Sequence, residues 1–200
     1  IPIKEDYLLT SGLENTNEMY AIAKIAGLKM CKAYNAQFKT DFRAVMPTNL
    51  YGQNDNYNSV NSHVLAALIR KIVLAKKQNK KSFIVWGTGK PKREFLHVDD
   101  LADATVKIMN LSKSKYNKIA GVKFPFINIG SGSDISIKDL AKLISKIVGF
   151  KGKMIFDKSK PDGTFRKLMD NTKLRNIKWK PKISLNSGIK KTVEDFKSTI

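Results

Sequence analysis

Four short apolar runs, residues 42–46, 82–86, 126–129 and 154–156, alternate with longer segments whose hydrophobic residues recur at helical spacing. Strands that alternate with helices in this way pack as a mainly parallel sheet, so the pattern predicts an α/β fold. The helices are predicted over residues 16–38, 62–79, 98–111, 136–148 and 185–196. In the first, Met19, Ile22, Ala26, Met30, Ala33 and Tyr34 keep helical spacing, with Thr16 or Asn17 as N-cap and Glu18 in the first turn. In the second, Leu65, Leu68, Ile69 and Ile72 form the side expected to be buried. Asp99 and Asp100 open the third helix, where its dipole favours them, and Ser136 with Asp139 forms an Asp variant of the capping box. Pro47 ends the first strand, and residues 52–59, 87–91, 113–123 and 157–165 read as loops or turns.

Two hundred residues with 42% hydrophobic content suit one or two domains with a substantial core. No apolar run approaches the roughly 18 residues of a membrane span, so a membrane is not among the expected partners. The single cysteine, Cys31, excludes an internal disulfide, suits a reducing cytoplasm, and is expected to be a small buried hydrophobe. A net charge of +20 raises the question of nucleic acid. Only five of the 37 basic residues are arginine, however, and the lysines are scattered along the chain. A base-reading surface favours arginine forks and interleaved aromatics, so nucleic-acid binding is not expected. A positive field would still help to capture polyanionic small molecules.

Tyr20-Ala21-Ile22-Ala23-Lys24 places a phenol and an ammonium one helical turn apart, on the same face. A lysine beside a phenol stabilises the phenolate, and such a tyrosine can pass a proton to or from a sugar oxygen near neutral pH. The same spacing also occurs as a plain surface pair. Further along stand Pro47-Thr48-Asn49-Leu50-Tyr51-Gly52, Asn61-Ser62-His63-Val64, Val85-Trp86-Gly87-Thr88-Gly89, Arg93-Glu94-Phe95-Leu96-His97-Val98-Asp99-Asp100 and Lys160-Pro161-Asp162-Gly163-Thr164. In this order and at these separations the motifs resemble the GDP-L-fucose synthase family, within the extended short-chain dehydrogenase/reductase superfamily. The likeness covers nearly the whole chain.

That resemblance implies an incomplete NADP-binding Rossmann domain, a doubly wound parallel sheet, followed by a smaller C-terminal substrate-binding domain. Residues 1–54, with a returning segment near 97–128, would belong to the first domain, and residues 55–200 mainly to the second. It also implies NADP(H) as cofactor, GDP-4-keto-6-deoxy-D-mannose as substrate, GDP-L-fucose as product and a cytoplasmic homodimer paired through the Tyr20 helix. Met30, Ala33, Ile69 and Ile72 are expected to supply part of the dimer surface. No G-x-x-G-x-x-G or G-x-G-x-x-G turn occurs in the 200 residues. The family's catalytic serine and cysteine would lie just upstream of Ile1. The expectation is therefore a fragment that does not complete the reaction alone.

Residue by residue, the resemblance makes Tyr20 the proton donor to the substrate oxygen, assisted by Lys24, which would also hold the cofactor ribose. His63 would be an acid/base in epimerisation and a cofactor-contacting position. Pro47, Thr48, Asn49 and Leu50 would line the nicotinamide end of the cofactor, at the C-terminal end of a parallel strand. Lys71, Trp86, Arg93 and Asp162 stand at positions for the nucleotide sugar. Arg93 is the best diphosphate ligand because its fork bonds two oxygens at once. Lys71 replaces an arginine common in bacterial relatives and loses that fork. On residues alone, His63 also fits a helix-end hydrogen-bonding role, Trp86 a core position and Asp162 a turn aspartate. His97 is expected to order the start of its helix. Another nucleotide-sugar epimerase or dehydratase, such as a UDP-hexose 4-epimerase, or a non-catalytic binding module, are the alternative readings. The epimerase reading keeps Tyr20 and Lys24 but gives no role to His63 or to Lys160-Pro161-Asp162-Gly163.

Overall fold

The structure, a computed structural model, describes residues 1–59, 61–121 and 125–200. Two 3-10 turns, Glu5–Tyr7 and Asn15–Asn17, lead into α1 Glu18–Phe38, β1 Ala44–Pro47, β2 Asn49–Tyr51 and α2 Val64–Lys77. There follow β3 Ser82–Trp86, β4 Lys92–His97, α3 Val98–Met109, α4 Lys113–Ala120, β5 Phe126–Ile129, β6 Asp134–Ser136 and α5 Ile137–Val148. The chain continues through β7 Lys153–Asp157, β8 Arg166–Lys167, α6 Thr172–Asn176 and α7 Leu185–Ser198. β1 pairs in parallel with β5, β2 with β4, and β3 with β7. β4 also takes β8 in parallel and β6 antiparallel. The α/β class with mainly parallel strands is the one the alternating pattern predicted. No helix among the described residues is long and apolar enough to cross a membrane.

β4 divides the interior because successive side chains of a strand point to opposite faces. Phe95 enters a cluster with Leu68, Ile69 and Ile72 of α2, Ile144 of α5 and Ile189 of α7. Its neighbour Leu96 enters a second cluster with Ile108 of α3, Tyr116 of α4, Ile127 of β5 and Trp179. The four residues expected on the buried side of α2 are all in the first cluster. This corrects one expectation: Ile69 and Ile72 have no exposed surface and cannot lie in a dimer interface, whereas Met30 and Ala33 are exposed.

Several basic side chains close helix ends. Arg43 Nη1 donates to the carbonyls of Ile108 and Met109 at the end of α3, at 2.6 and 2.9 Å. Lys76 Nζ reaches Val148 O at the end of α5, and Lys173 Nζ reaches Ala120 O at the end of α4, each at 2.7 Å. Cations there satisfy orphan carbonyls and oppose the negative end of the dipole. Part of the positive charge is therefore structural.

Three further differences have local causes. Residues 113–120 form α4 where a loop was expected, because Ser112 caps Lys115 N–H and two buried residues, Tyr116 and Ala120, suffice to anchor a lysine-rich helix. Val122 and Lys123 of that expected loop lie outside the described residues. β4 was not foreseen, since Lys92, Arg93 and Glu94 break its apolar pattern. Phe42 and Arg43 precede β1, because the Asn35 side chain takes both the N–H and the carbonyl of Phe42 at 2.8 Å. α5 keeps its expected cap, with Ser136 Oγ accepting from Asp139 N at 3.0 Å. Ile144→Ala, which empties a fully buried site between α5 and its neighbours, should cost about 2–5 kcal/mol in urea unfolding; a loss below about 1 kcal/mol would mean that this cluster is not packed as described.

Candidate active site

α1 begins at Glu18 after an Asn17 cap that makes no side-chain bond. Tyr20 and Lys24 stay together on its surface, with the Lys24 ammonium 5.4 Å from the Tyr20 ring centroid. Both line a groove of about 650 Å³ between α1 and β1, with Cys31 and Pro47 in its wall. Cys31 is half-buried there, less enclosed than expected. Among the described residues β1 pairs only with β5, so its other edge is open. None of the 21 residues of α1 is buried, although Met19, Ile22, Met30, Tyr34 and Phe38 are large and apolar. An unpaired strand edge beside an uncovered apolar helix is a surface built to be covered.

Beside the β2–β4 ladder, the side chains that follow β1 are tied to β4 at Glu94. Its carbonyl accepts from Thr48 Oγ1 at 3.2 Å and from Asn49 Nδ2 at 2.8 Å. Its side chain is fully buried, and the two carboxylate oxygens accept from Gly132 N at 2.7 Å and Met169 N at 3.0 Å. Gly130 passes so close that a Cβ there would lie 2.7 Å from Glu94 Cδ, and only glycine fits. Pro47 is exposed at the groove, Leu50 is half-buried, and Thr48 and Asn49 are held by Glu94.

A second constellation surrounds Trp86 at the end of β3. The indole is 57% exposed, so it is not a core tryptophan. Lys71 Nζ lies 4.7 Å from its centroid and donates to Ile84 O at 3.3 Å; Lys160 Nζ lies 5.7 Å away. Burial and then the neighbouring Arg70 hold the Lys71 ammonium below the usual lysine range, against the pull of Asp157. Lys71 and Trp86 line a cavity of about 210 Å³ with Ser62 and Val64, the residues that flank His63. His63 itself is the exposed N-cap of α2 and makes no side-chain cap bond.

Arg93, next to Glu94 on β4, donates to Lys92 O at 2.8 Å and has no carboxylate partner among the described residues. Burial lowers its pKa from the ordinary arginine value. Both Asp162 oxygens accept from Thr88, from the amide at 2.6 Å and the hydroxyl at 2.7 Å, and the hydroxyl bond chiefly holds the carboxyl below the usual range. Gly87, at φ +76°, permits this approach, because a Cβ would strike the Asp162 carboxylate. The clasp sets residues 160–164 over Trp86 and Arg93: Lys160 faces the indole, and Arg93 Nη2 is 3.5 Å from the Cβ position of Gly163.

His97 caps its helix as expected, with Nδ1 accepting from Asp99 N at 3.2 Å. The expected site residues therefore fall into two groups. Tyr20, Lys24 and Pro47 share the α1–β1 groove, while Lys71, Trp86, Arg93 and Asp162 gather around the ends of β3 and β4 beside the His63 turn. Thr48, Asn49 and Glu94 span the gap. Sequence reasoning passed over Lys160 and Glu94, although both lie inside quoted motifs, because a charge in a loop and a charge in a strand each look like solvated surface. Among the described residues no three His, Cys, Asp or Glu side chains come together as a metal site would require.

An open strand edge beside a Tyr-x-x-x-Lys helix, with a groove of about 650 Å³ between them, marks the site. Residues 1–122 match the NAD dependent epimerase/dehydratase family, and the chain belongs to it. It is 49% identical to the GDP-L-fucose synthase of Escherichia coli over 195 residues, 98% of this chain and 61% of that protein. It is 51% identical to GDP-L-fucose synthase 1 of Arabidopsis thaliana over 193 residues, 96% of this chain and 57% of that protein. The solved GDP-L-fucose synthetase of Naegleria fowleri bound to NADP superposes with a TM-score of 0.87 at 31% identity, covering 99% of this chain and 61% of that one. The chain thus spans somewhat more than half the length of these relatives. Glu94→Gln keeps the shape but puts an amide donor against one of two backbone N–H groups; it should cost about 1–3 kcal/mol in urea unfolding, and an unchanged midpoint would show that Glu94 does not brace this site.

Proposed function

We propose that this chain supplies the nucleotide-sugar site and proton-transfer groups of an NADPH-dependent epimerase-reductase. Its substrate would be GDP-4-keto-6-deoxy-D-mannose and its product GDP-L-fucose. The observation that carries the reading is Arg93, a partly buried guanidinium with no carboxylate partner among the described residues. Unneutralised buried cations are costly, and a diphosphate accepted by the arginine fork would offset that cost. Beside it, exposed Trp86 offers a ring for a base or sugar, and Lys71 and Lys160 add positive charge. Asp162 acts here as the clasp that holds the covering loop.

The groove fits the nicotinamide-ribose end of NADP(H): Lys24 is exposed, Pro47 lies at the carboxyl end of a parallel strand, and the groove is largely apolar. Lys24, Pro47, Thr48, Asn49, Leu50 and His63 would hold it, and when bound it supplies the hydride. Tyr20 donates its proton to the substrate's carbonyl oxygen. The same hydroxyl stabilises the enolate oxygen that makes the flanking carbons acidic. Lys24, 5.4 Å from the ring centroid, sets a positive charge beside the phenol. His63 carries protons to and from those carbons, for which imidazole is suited because its unperturbed pKa is near 6.5.

On this reading the apolar cluster around β5, α3 and α4 is the cofactor domain, and the cluster around α2, α5 and α7 is the substrate domain. The open edge of β1 would receive strands of a cofactor-binding region whose glycine-rich turn this sequence does not contain. The outward face of α1, with Met19, Ile22 and Met30, would pair with a second copy in a cytoplasmic homodimer.

The test joins this chain to the cofactor-binding region of the E. coli relative and supplies GDP-4-keto-6-deoxy-D-mannose, NADPH and heavy water. His63→Gln should slow deuterium uptake into the sugar by about 10²–10⁴, the usual worth of a positioned acid or base. Tyr20→Phe should cripple NADPH oxidation and weaken uptake as well. Undiminished uptake in His63→Gln would return His63 to a helix-end role.

A further inference from the structure

The segment that follows β7 crosses the nucleotide end of the site with nothing of its own to bury. Every residue from 158 to 165 is exposed, so packing does not fix its course. Its two ends are tied by backbone bonds, Lys160 N to Asp157 O at 3.3 Å and Lys92 N to Phe165 O at 2.9 Å. Asp157 stands opposite Trp86 in the β3–β7 ladder, and Ser159 closes a turn on its carboxylate through N at 3.1 Å and Oγ at 2.6 Å. Between those ends, the bonds from Thr88 to Asp162 are the only side-chain hydrogen bonds, among the described residues, that join the segment to a part of the chain remote in sequence.

We propose that Thr88 is a positioning residue for the nucleotide sugar: through Asp162 it holds this segment closed, so that Lys160 stands against Trp86 as a further cation for the diphosphate. The proposal rests on the reading of Trp86 and Arg93 as the nucleotide end of the site. Both donors of Thr88 are already engaged, which leaves it no hydrogen to give a ligand. Its hydroxyl donates to Asp162 Oδ2 at 2.7 Å and accepts from Lys90 N at 3.2 Å, and its amide donates to Asp162 Oδ1 at 2.6 Å. With both oxygens on Thr88, Asp162 serves the segment that carries it. Gly163, at φ +67°, then turns the backbone past Arg93.

What the clasp delivers is an ammonium. Lys160 Nζ lies 5.7 Å from the Trp86 centroid, on a ring that Lys71 Nζ already approaches at 4.7 Å. Two ammoniums at one indole repel each other, and a lysine on an exposed segment gains side-chain freedom by moving off into water. Holding its backbone in place keeps the second ammonium at the ring. An anion that meets Lys71, Lys160 and Arg93 together relieves the repulsion and draws the segment down. The chemistry selected is that of a nucleoside diphosphate, with a ring for Trp86 and phosphate oxygens for the three cations.

Calorimetric titration of this chain with GDP tests the role. Thr88→Val keeps the volume and the amide bond but removes the hydroxyl, and should weaken GDP binding by about three- to tenfold. Thr88→Ser, which restores the hydroxyl, should return the affinity to within about twofold of the parent chain. Lys160→Gln, at an exposed residue, should weaken binding by about the same three- to tenfold. Because Thr88 acts through Lys160, the double variant should bind within about twofold of Lys160→Gln alone. Unchanged affinity in Thr88→Val or Lys160→Gln, a Thr88→Ser chain no better than Thr88→Val, or effects that multiply in the double variant each overturn the positioning role. Binding that Arg93→Ala still weakens then leaves the nucleotide reading intact. Absence of GDP binding by the parent chain overturns that reading, and the positioning role with it.

Discussion

One buried carboxylate organises the molecule. Glu94 sits in the middle of β4, the strand that pairs with β2, β6 and β8, and its flanking residues Phe95 and Leu96 enter the two hydrophobic clusters. A carboxylate with no exposed surface is tolerable only when its oxygens are bonded, and Gly132 N and Met169 N supply those bonds. The consequence is geometric. The loop after β5, the segment after β8 and the Thr48-Asn49 turn after β1 are all referred to one residue. Arg93, its neighbour in sequence, therefore projects from a rigid strand, and the two groups of candidate site residues keep a fixed relation.

Charge is arranged by the same logic. The chain carries a formal +20, yet Arg43, Lys76 and Lys173 are spent on carbonyls at helix ends. Arg93 is different, because no carboxylate neutralises it among the described residues, and Lys71 and Lys160 lie against the face of Trp86 and share the nearby Asp157. Cations in excess of acids beside an exposed aromatic ring suit an anion with a ring attached. A nucleoside diphosphate has that chemistry.

Much of this was legible in the sequence, and the parts that were not share a cause. The alternation of apolar runs and helical spacing located β3, β5, β7 and the long helices, since burial writes its period into the residues. Tyr20 and Lys24 remain together because four positions is one helical turn. β4 was hidden because Lys92, Arg93 and Glu94 are held in place by partners remote in sequence, and α4 because its lysines mask the anchoring Tyr116. The clasp of Asp162 on Thr88 is likewise a tertiary fact. Ile69 and Ile72 show the opposite error, since apolar spacing does not say whether a face meets the core or a second subunit.

The central claim is that the nucleotide end of the site is already built within these 200 residues. GDP binding to this chain, measured by calorimetry and followed by the emission of exposed Trp86 against the buried Trp179, tests it most directly. The account predicts saturable one-to-one binding, weakened at least about tenfold by Arg93→Ala, as expected for loss of a charge-assisted fork. Absence of saturable binding by a folded chain, or binding that Arg93→Ala leaves unchanged, would contradict it.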